Sequence, residues 1–284
     1  MTFRGGARLD PSQVEDVRGR GVGGLAVGGG GIGIVILVAS LLLVFDPAAL
    51  LEAIPADTAV EGAPSTSECQ TGADANRRDD CRVVGFVDSV QAYWSDEFAR
   101  QGRRYFPTKT VLFSGYIGSA CGSASGAMGP FYCPEDEKVY LDLSFFHDMR
   151  ATLGARGGPL AQGYVVAHEY AHRVQHLLGA LEPRGTQTGA SSQAVRVELQ
   201  ADCYAGVWVH HAAATGYLET PTEPEIADAV DAAAAVGDDR IQRQTQGQVT
   251  PDSFTHGTSE QRQRWFMTGY QTGDPARCDT SGGL

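Results

Sequence analysis

The sequence has very little lysine and no surplus of positive charge. Only Lys109 and Lys138 are lysines, and the 34 acidic residues outnumber the 22 basic ones, for a formal net charge of −12. Because a basic field is needed to hold a phosphate backbone, nucleic-acid binding is excluded as the main function. The chain also has no C-x-x-C pair, which argues against a zinc site built from cysteine. The remaining composition, 42% hydrophobic and 20% charged, is that of a globular protein with a good-sized core.

Charge is also missing from one long stretch near the N-terminus. Residues 21–45 contain no charged side chain, and they outnumber the roughly 20 residues that a helix needs to cross a bilayer. Arginines precede this stretch and acidic residues follow it, so the positive-inside rule places the N-terminus in the cytoplasm. We therefore predict a single-pass cell-membrane protein with a cytoplasmic tail at 1–20, a transmembrane helix at 21–45, a linker at 46–67 and an extracytoplasmic domain at 68–284. A cleaved signal peptide is the alternative.

The predicted extracytoplasmic part contains all six cysteines of the chain. They are Cys69, Cys81, Cys121, Cys133, Cys203 and Cys278. In an oxidising compartment they are expected to form three disulfides. Fifteen connectivities are possible, and the sequence does not choose among them. Pairing of near neighbours would join the first to the second, the third to the fourth and the fifth to the sixth.

The hydrophobic pattern predicts an α+β fold in which a small sheet precedes packed helices. Apolar residues from Val84 to Phe98 recur at helical spacing and predict a helix that ends near Gly102. Short β-rich runs predict strands at 110–116 and 138–143. The later part of the chain is predicted to be mostly helical, with helices at 162–178, 193–214, 223–235 and 259–270.

Residues 168–172 read H-E-x-x-H inside one of these helices. Residues i and i+4 share one face of a helix, so both imidazoles can reach the same metal ion. Glu169 lies beside them, where it can deprotonate a metal-bound water. Glu198 and Asp202 are also four residues apart, on the next predicted helix. They offer a third metal ligand and a carboxylate that can orient a ligand histidine.

This constellation is similar to that of the gluzincins, and the chain more closely resembles the neutral zinc metallopeptidase family of membrane-anchored bacterial proteins. Besides the two motifs, the resemblance is carried by residues 120–122, 129–134, 139–142 and 255–262, and it spans roughly 68–280. It implies a zincin-like domain that cleaves protein or peptide substrates with one Zn²⁺ per chain. The implied zinc ligands are His168, His172 and Glu198, and Glu169 is the implied general base.

Two segments outside the metal motifs are candidates for substrate contact. His256 directly precedes a predicted capping box at Thr258–Gln261, and it is either a donor to the oxyanion of the reaction or a histidine packed against that helix. The run Val139–Leu143 is either an edge strand that pairs with an extended substrate or a buried strand.

The sequence therefore predicts a membrane-anchored zinc metallopeptidase acting outside the cytoplasm. Structural zinc sites are normally closed by four ligands and favour cysteine, so three ligands plus Glu169 favour catalysis. One alternative is a non-catalytic interaction or scaffold domain. The other is a zinc amidase acting on a non-peptide amide, such as a cell-wall link. The active-site chemistry of an amidase would be the same, so the sequence does not separate it from a peptidase.

Overall fold

The computed structural model describes residues 1–19, 65–181 and 188–282. Its longer helices are α1 (Asp79–Arg100), α2 (Ser144–Ala151), α3 (Pro159–Leu177), α4 (Gln193–His211), α5 (Glu223–Ala235), α6 (Asp238–Gln246) and α7 (Ser259–Thr272). Its strands are β1 (Val14–Asp16), β2 (Thr110–Phe113), β3 (Tyr116–Ser119), β4 (Gly122–Ser125), β5 (Phe131–Cys133) and β6 (Lys138–Asp142). The predicted α+β class, mostly helical with a small sheet, is confirmed.

Four of the strands form one sheet in the order β1-β2-β6-β5. The first three are parallel, with Val14 opposite Thr110 and Thr110 opposite Val139. Strand β5 runs antiparallel to β6 and lies at the edge, while β3 and β4 form a separate hairpin. The run Val139–Leu143 is therefore not an edge strand, because β6 is buried and hydrogen-bonded on both sides. The edge position belongs to β5, a strand of three residues that is too short for its hydrophobic pattern to be recognised.

Helix α3 lies at the centre of the helical part and packs against α1, α4 and α5. The closest helix contact is between α4 and α7, where glycines let the two backbones touch. A Cβ atom at Gly206 would collide with the carbonyl of Phe266, and one at Gly269 would collide with the carbonyl of Cys203. This approach fixes α7 against α4 and brings residues far apart in sequence into one buried layer.

Residues 1–16 belong to the same compact unit as residues 65–284. Phe3 is 1% exposed and its ring lies 5.0 Å from that of Phe86. The backbone N–H and C=O of Phe3 both bond to the side-chain amide of Asn76, each at 2.9 Å. This packing corrects the predicted boundaries, which assigned 1–20 to a separate tail and began the domain at 68. The prediction was based on the uncharged run at 21–45. The contacts that place Phe3 in the domain are with residues far away in the sequence, such as Asn76 and Phe86, and no local pattern indicates them.

The predicted membrane span at 21–45 and most of the predicted linker lie outside the described residues. Among the residues that the structure does describe, no helix is both long and apolar enough to cross a bilayer. The predicted span, and the topology inferred from it, therefore stay predictions.

All six cysteines form disulfides, which are Cys69–Cys81, Cys121–Cys133 and Cys203–Cys278. This is the pairing of near neighbours, one of the fifteen connectivities among which the sequence does not choose. The third bond ties the short turn Pro275–Cys278 to helix α4. Three disulfides are typical of a protein that folds in an oxidising compartment.

The contact between the N-terminal segment and α1 includes a buried carboxyl group. Asp88 is 1% exposed and accepts hydrogen bonds from the N–H of Asp10 at 2.8 Å and the amide of Gln13 at 2.6 Å. Burial, opposed by the bond from Asp10, raises the pKa of Asp88 to about 7, against about 4 in an unfolded chain. The folded state thus binds this proton more tightly than the unfolded state does. The contribution of the proton to the unfolding free energy is fully present below about pH 4 and is lost as pH rises through about 7.

We therefore expect the unfolding free energy of the wild type, relative to that of an Asp88→Asn variant, to increase as pH falls from 8 to 5. The increase should be at most about 1.4 kcal/mol per pH unit, the limit for one titrating proton. Denaturant unfolding of both proteins at several pH values measures it. A difference that does not change with pH would contradict the prediction.

Candidate metal centre

The three predicted metal ligands meet at the contact of α3 and α4. One ligand atom from each of His168, His172 and Glu198 lies within 4.8 Å of the others. The Nε2 atom of His168 is 3.1 Å from Glu198 Oε2, and Nε2 of His172 is 3.4 Å from Glu198 Oε1. The two imidazole rings come from successive turns of one helix and are nearly perpendicular. This donor set of two nitrogens and one carboxylate is the kind that catalytic zinc sites use.

Asp202 lies one turn after Glu198 and holds the far side of the first histidine. Its Oδ1 atom accepts a hydrogen bond from His168 Nδ1 at 2.9 Å. The Asp202 side chain has no exposure to solvent, and Arg262 of α7 pairs with both of its oxygens, at 2.8 and 2.9 Å. The hydroxyl of Tyr164 donates a further bond to Oδ1 at 2.6 Å. A carboxylate fixed in this way leaves the Nε2 atom of His168 free for a metal.

The charges of the site are arranged to hold a cation. Burial would lower the pKa of His168, but its hydrogen bonds to Asp202 and Glu198 outweigh burial and raise that pKa to about 10. Burial would likewise raise the pKa of Glu198, yet the neighbouring histidines hold that pKa well below its usual range. A pair of carboxylates that stays ionised around the imidazoles favours a positive charge at their meeting point.

Glu169 lies beside the ligands, and no hydrogen bond to a described residue holds its carboxylate. Its side chain lines the same cleft, and the residue is 8% exposed. Its carboxylate makes no hydrogen bond to any residue that the structure describes. Burial, only partly offset by His168 and His172, raises the pKa of Glu169 above its usual value. A carboxyl group of raised pKa in a cleft is suited to taking up and releasing a proton.

His256 reaches the same cleft from the loop before α7. The carboxylate of Asp238, at the start of α6, accepts the backbone N–H groups of residues 255, 256 and 257 at 2.7–3.0 Å. Those three bonds go to Oδ2 of Asp238, and Oδ1 lies 3.4 Å from Nδ1 of His256. Partial burial would lower the pKa of His256, but Glu198 and Asp238 raise that pKa overall. The side chain is half exposed, and the predicted capping box between Thr258 and Gln261 is present.

The cleft around these residues has a volume of about 750 Å³. Its floor is the cluster of titratable groups, while most of its wall is apolar. Apolar side chains come from the loop before β5, from β5 itself, from α2 and α6, and from the segments after α2, α3 and α5; they include Met128, Phe131, Phe145, Met149, Leu153, Leu181, Val236 and Ile241. Arg262 is the only lysine or arginine lining the cleft among the described residues, and it is committed to Asp202.

The structure brings together every site residue that the sequence predicts, although the catalytic roles assigned to them stay predictions. Sequence reasoning missed Arg262 and Asp238, because each reaches the site from a distant part of the chain. It missed Tyr164, one turn before His168, because the hydroxyl of that residue bonds to Asp202 on another helix. It also missed Gln175, whose side chain contacts His172. That contact had a readable signal, since Gln175 lies three residues after His172 on the same helix.

The comparisons with known proteins agree with the motif. The uncharacterized protein Rv2575 of Mycobacterium tuberculosis is 50% identical over 252 residues, covering 85% of this chain and 84% of that protein. The uncharacterized protein YpfJ of Escherichia coli is 40% identical over 290 residues, covering 97% of each chain. No solved structure matches, so the zincin-like fold stays a prediction. A family model described as "Putative neutral zinc metallopeptidase" matches residues 1–281, and the chain belongs to this family.

Proposed function

We propose that the protein is a zinc-dependent peptidase that hydrolyses peptide bonds in its cleft, outside the cytoplasm. The observation that carries this proposal is the position of Glu169. A buried carboxylate with no hydrogen-bond partner among the described residues stands beside three converging metal ligands, in a cleft large enough for a peptide segment. A site that only held a structural metal would have no use for it.

The donor set fits catalytic zinc better than structural zinc. His168, His172 and Glu198 supply three ligands, so a tetrahedral ion would keep one position open toward the cleft. Structural zinc sites are usually closed by a fourth protein ligand and favour thiolates, whereas every cysteine of this chain is in a disulfide. This argues against the scaffold alternative.

The chemistry that zinc supplies in such a site is Lewis acidity toward a water molecule and a carbonyl oxygen. Glu169 accepts the proton of the attacking water and passes it to the nitrogen of the leaving amine. His256, oriented by Asp238, donates a hydrogen bond to the oxygen that becomes negative in the transition state. Asp202 and Arg262 keep His168 in place throughout and move no proton.

The walls of the cleft support a peptide substrate with bulky apolar side chains. Strand β5 is the last strand of its sheet and lines the cleft, the position from which a strand pairs with an extended peptide backbone, and Met128 near it is 70% exposed. Because Arg262 is already neutralised by Asp202, no lysine or arginine of the described cleft is free to bind a terminal carboxylate, which favours cleavage of internal bonds. A polar cell-wall amide would find few hydrogen-bond partners on such apolar walls, which argues against the hypothesis that the protein is an amidase.

The test is metal analysis and peptide cleavage with the purified, disulfide-bonded chain. We expect one zinc per chain and cleavage of a mixed peptide library next to bulky apolar residues. A zinc chelator should abolish cleavage, and added zinc should restore it. His172→Ala should lose both metal and cleavage, whereas His147→Ala, an exposed histidine on α2, should lose neither.

Two results would contradict the proposal. A folded chain that binds no zinc would remove the metal site altogether. A zinc-loaded chain that cleaves no peptide but retains all three ligands would favour a scaffold or an amidase.

A further inference from the structure

Gln175 is a buried polar residue whose contacts all lead to the metal site or to the layer behind it. It lies in the last turns of α3 and has no exposure to solvent. Its Oε1 atom is 2.8 Å from Nδ1 of His172, and its Nε2 atom is 2.7 Å from the carbonyl oxygen of Val197 on α4. A buried amide with these partners has one orientation rather than two.

The orientation follows from the chemistry of the partners. The carbonyl of Val197 can only accept, so the NH₂ group of Gln175 must face it. The amide oxygen is then directed at His172, and it can only accept as well. Nδ1 of His172 must therefore carry the proton of that bond, and in the neutral imidazole this leaves Nε2 unprotonated on the side facing Glu198. A neutral imidazole with a free Nε2 is the form that binds zinc.

A second amide holds Gln175 from behind. Gln200 Oε1 accepts another hydrogen bond from Gln175 Nε2 at 3.1 Å, and Gln200 Nε2 donates to the carbonyl of Cys278 at 3.1 Å. Cys278 is bonded to Cys203, one turn from Gln200 on α4. The hydrogen bonds thus run from His172 through Gln175 and Gln200 to Cys278, which a disulfide ties to α4.

We propose that Gln175 is a positioning residue that sets the tautomer and the orientation of His172 for the metal, as Asp202 does for His168. The two ligand histidines are then held by different groups. His168 bonds to a carboxylate that is itself paired with Arg262, and His172 bonds to a neutral amide. This inference relies on the proposed function only in that the site binds zinc.

The test compares zinc affinity, by competition with a chromophoric chelator, in the wild type, Gln175→Met and Gln162→Met. Gln162 is the control, a buried glutamine of the same helix whose side chain bonds to Arg82 and to no ligand. We expect Gln175→Met to weaken zinc binding about 10- to 100-fold, the usual effect of losing such a supporting hydrogen bond. Gln162→Met should bind zinc like the wild type.

A spectroscopic measurement separates positioning from a general loss of packing. In ¹⁵N NMR of the zinc-loaded wild type, the Nδ1–H of His172 should exchange slowly with water, and in zinc-loaded Gln175→Met it should exchange fast. If Gln175→Met does not fold, Gln200→Met provides the test, because it removes only the contact between Gln200 and Gln175. It should weaken zinc binding by less than the loss of the contact between Gln175 and His172, about two- to tenfold.

The inference is overturned if the wild type binds zinc and Gln175→Met, or Gln200→Met where that variant replaces it, binds equally well. Slow exchange of His172 Nδ1–H in the variant would overturn it too. A wild type that binds no zinc would instead overturn the proposed function, so the two failures are distinguishable.

Discussion

Replacing Glu169 by glutamine is expected to lower the rate of peptide hydrolysis by about 10²- to 10⁴-fold, the contribution of a general base. Glutamine has nearly the same shape as glutamate but cannot accept the proton of water. The metal ligands are untouched, so the variant should contain as much zinc as the wild type. Turnover of a cleaved peptide and metal content of the same sample measure the two effects together.

The matched control is Asp96→Asn, because Asp96 is an exposed carboxylate on α1 that does not line the cleft. It should retain wild-type turnover. Glu169→Gln with full activity would rule out Glu169 as the base, and a variant without zinc would mean that Glu169 supports the ligands instead. Peptide that binds to the zinc-loaded variant and stays intact would distinguish a peptidase from a scaffold that binds no substrate.

Replacing Arg262 by methionine should cost about 3–5 kcal/mol of unfolding free energy, the usual penalty for leaving one member of a buried ion pair alone. Asp202 is fully buried, and Arg262 is 3% exposed at its side chain. Burial would raise the pKa of Asp202, but Arg262 and His168 hold it below the usual value. The stability that follows is present above the unfolded pKa of about 4 and lost in acid. The cost of the substitution should therefore be larger at pH 8 than at pH 3.

Denaturant unfolding at both pH values measures this cost. Arg264→Met is the control, because Arg264 is on the same helix, is exposed and contacts only the ring of Trp265 at long range. It should unfold within about 0.5 kcal/mol of the wild type. The double variant Arg262→Met, Asp202→Asn should recover part of the loss. Equal stability of the two single arginine variants would mean that Asp202 does not depend on Arg262.

The part of the site that the sequence predicts is the part governed by local geometry. His168 and His172, and Glu198 and Asp202, are each four residues apart, and a helix brings such pairs to one face whatever the rest of the chain does. That rule needs no knowledge of tertiary contacts. It also explains why the metal site could be predicted before the fold that supports it.

The layer behind the ligands could not be predicted in the same way. Arg262 is 60 residues from Asp202 and Asp238 is 18 residues from His256, and no spacing rule joins either pair. The meeting of Arg262 with Asp202 depends on the close approach of α4 and α7, which two glycines permit. Secondary structure was predicted best for long amphipathic helices and worst for short elements. The helices α2 and α6 and the strand β5 carry too few residues for a clear period.

The buried N-terminal segment has a consequence for how the chain acquires its structure during synthesis. Phe3 contacts Phe86 and pairs with Leu218, and strand β1 pairs with β2. On the ribosome, more than 200 further residues must therefore emerge before the surroundings of Phe3 are complete. Phe3 is therefore made long before its last partner, and its apolar side chain stays without complete surroundings while the intervening residues are synthesised.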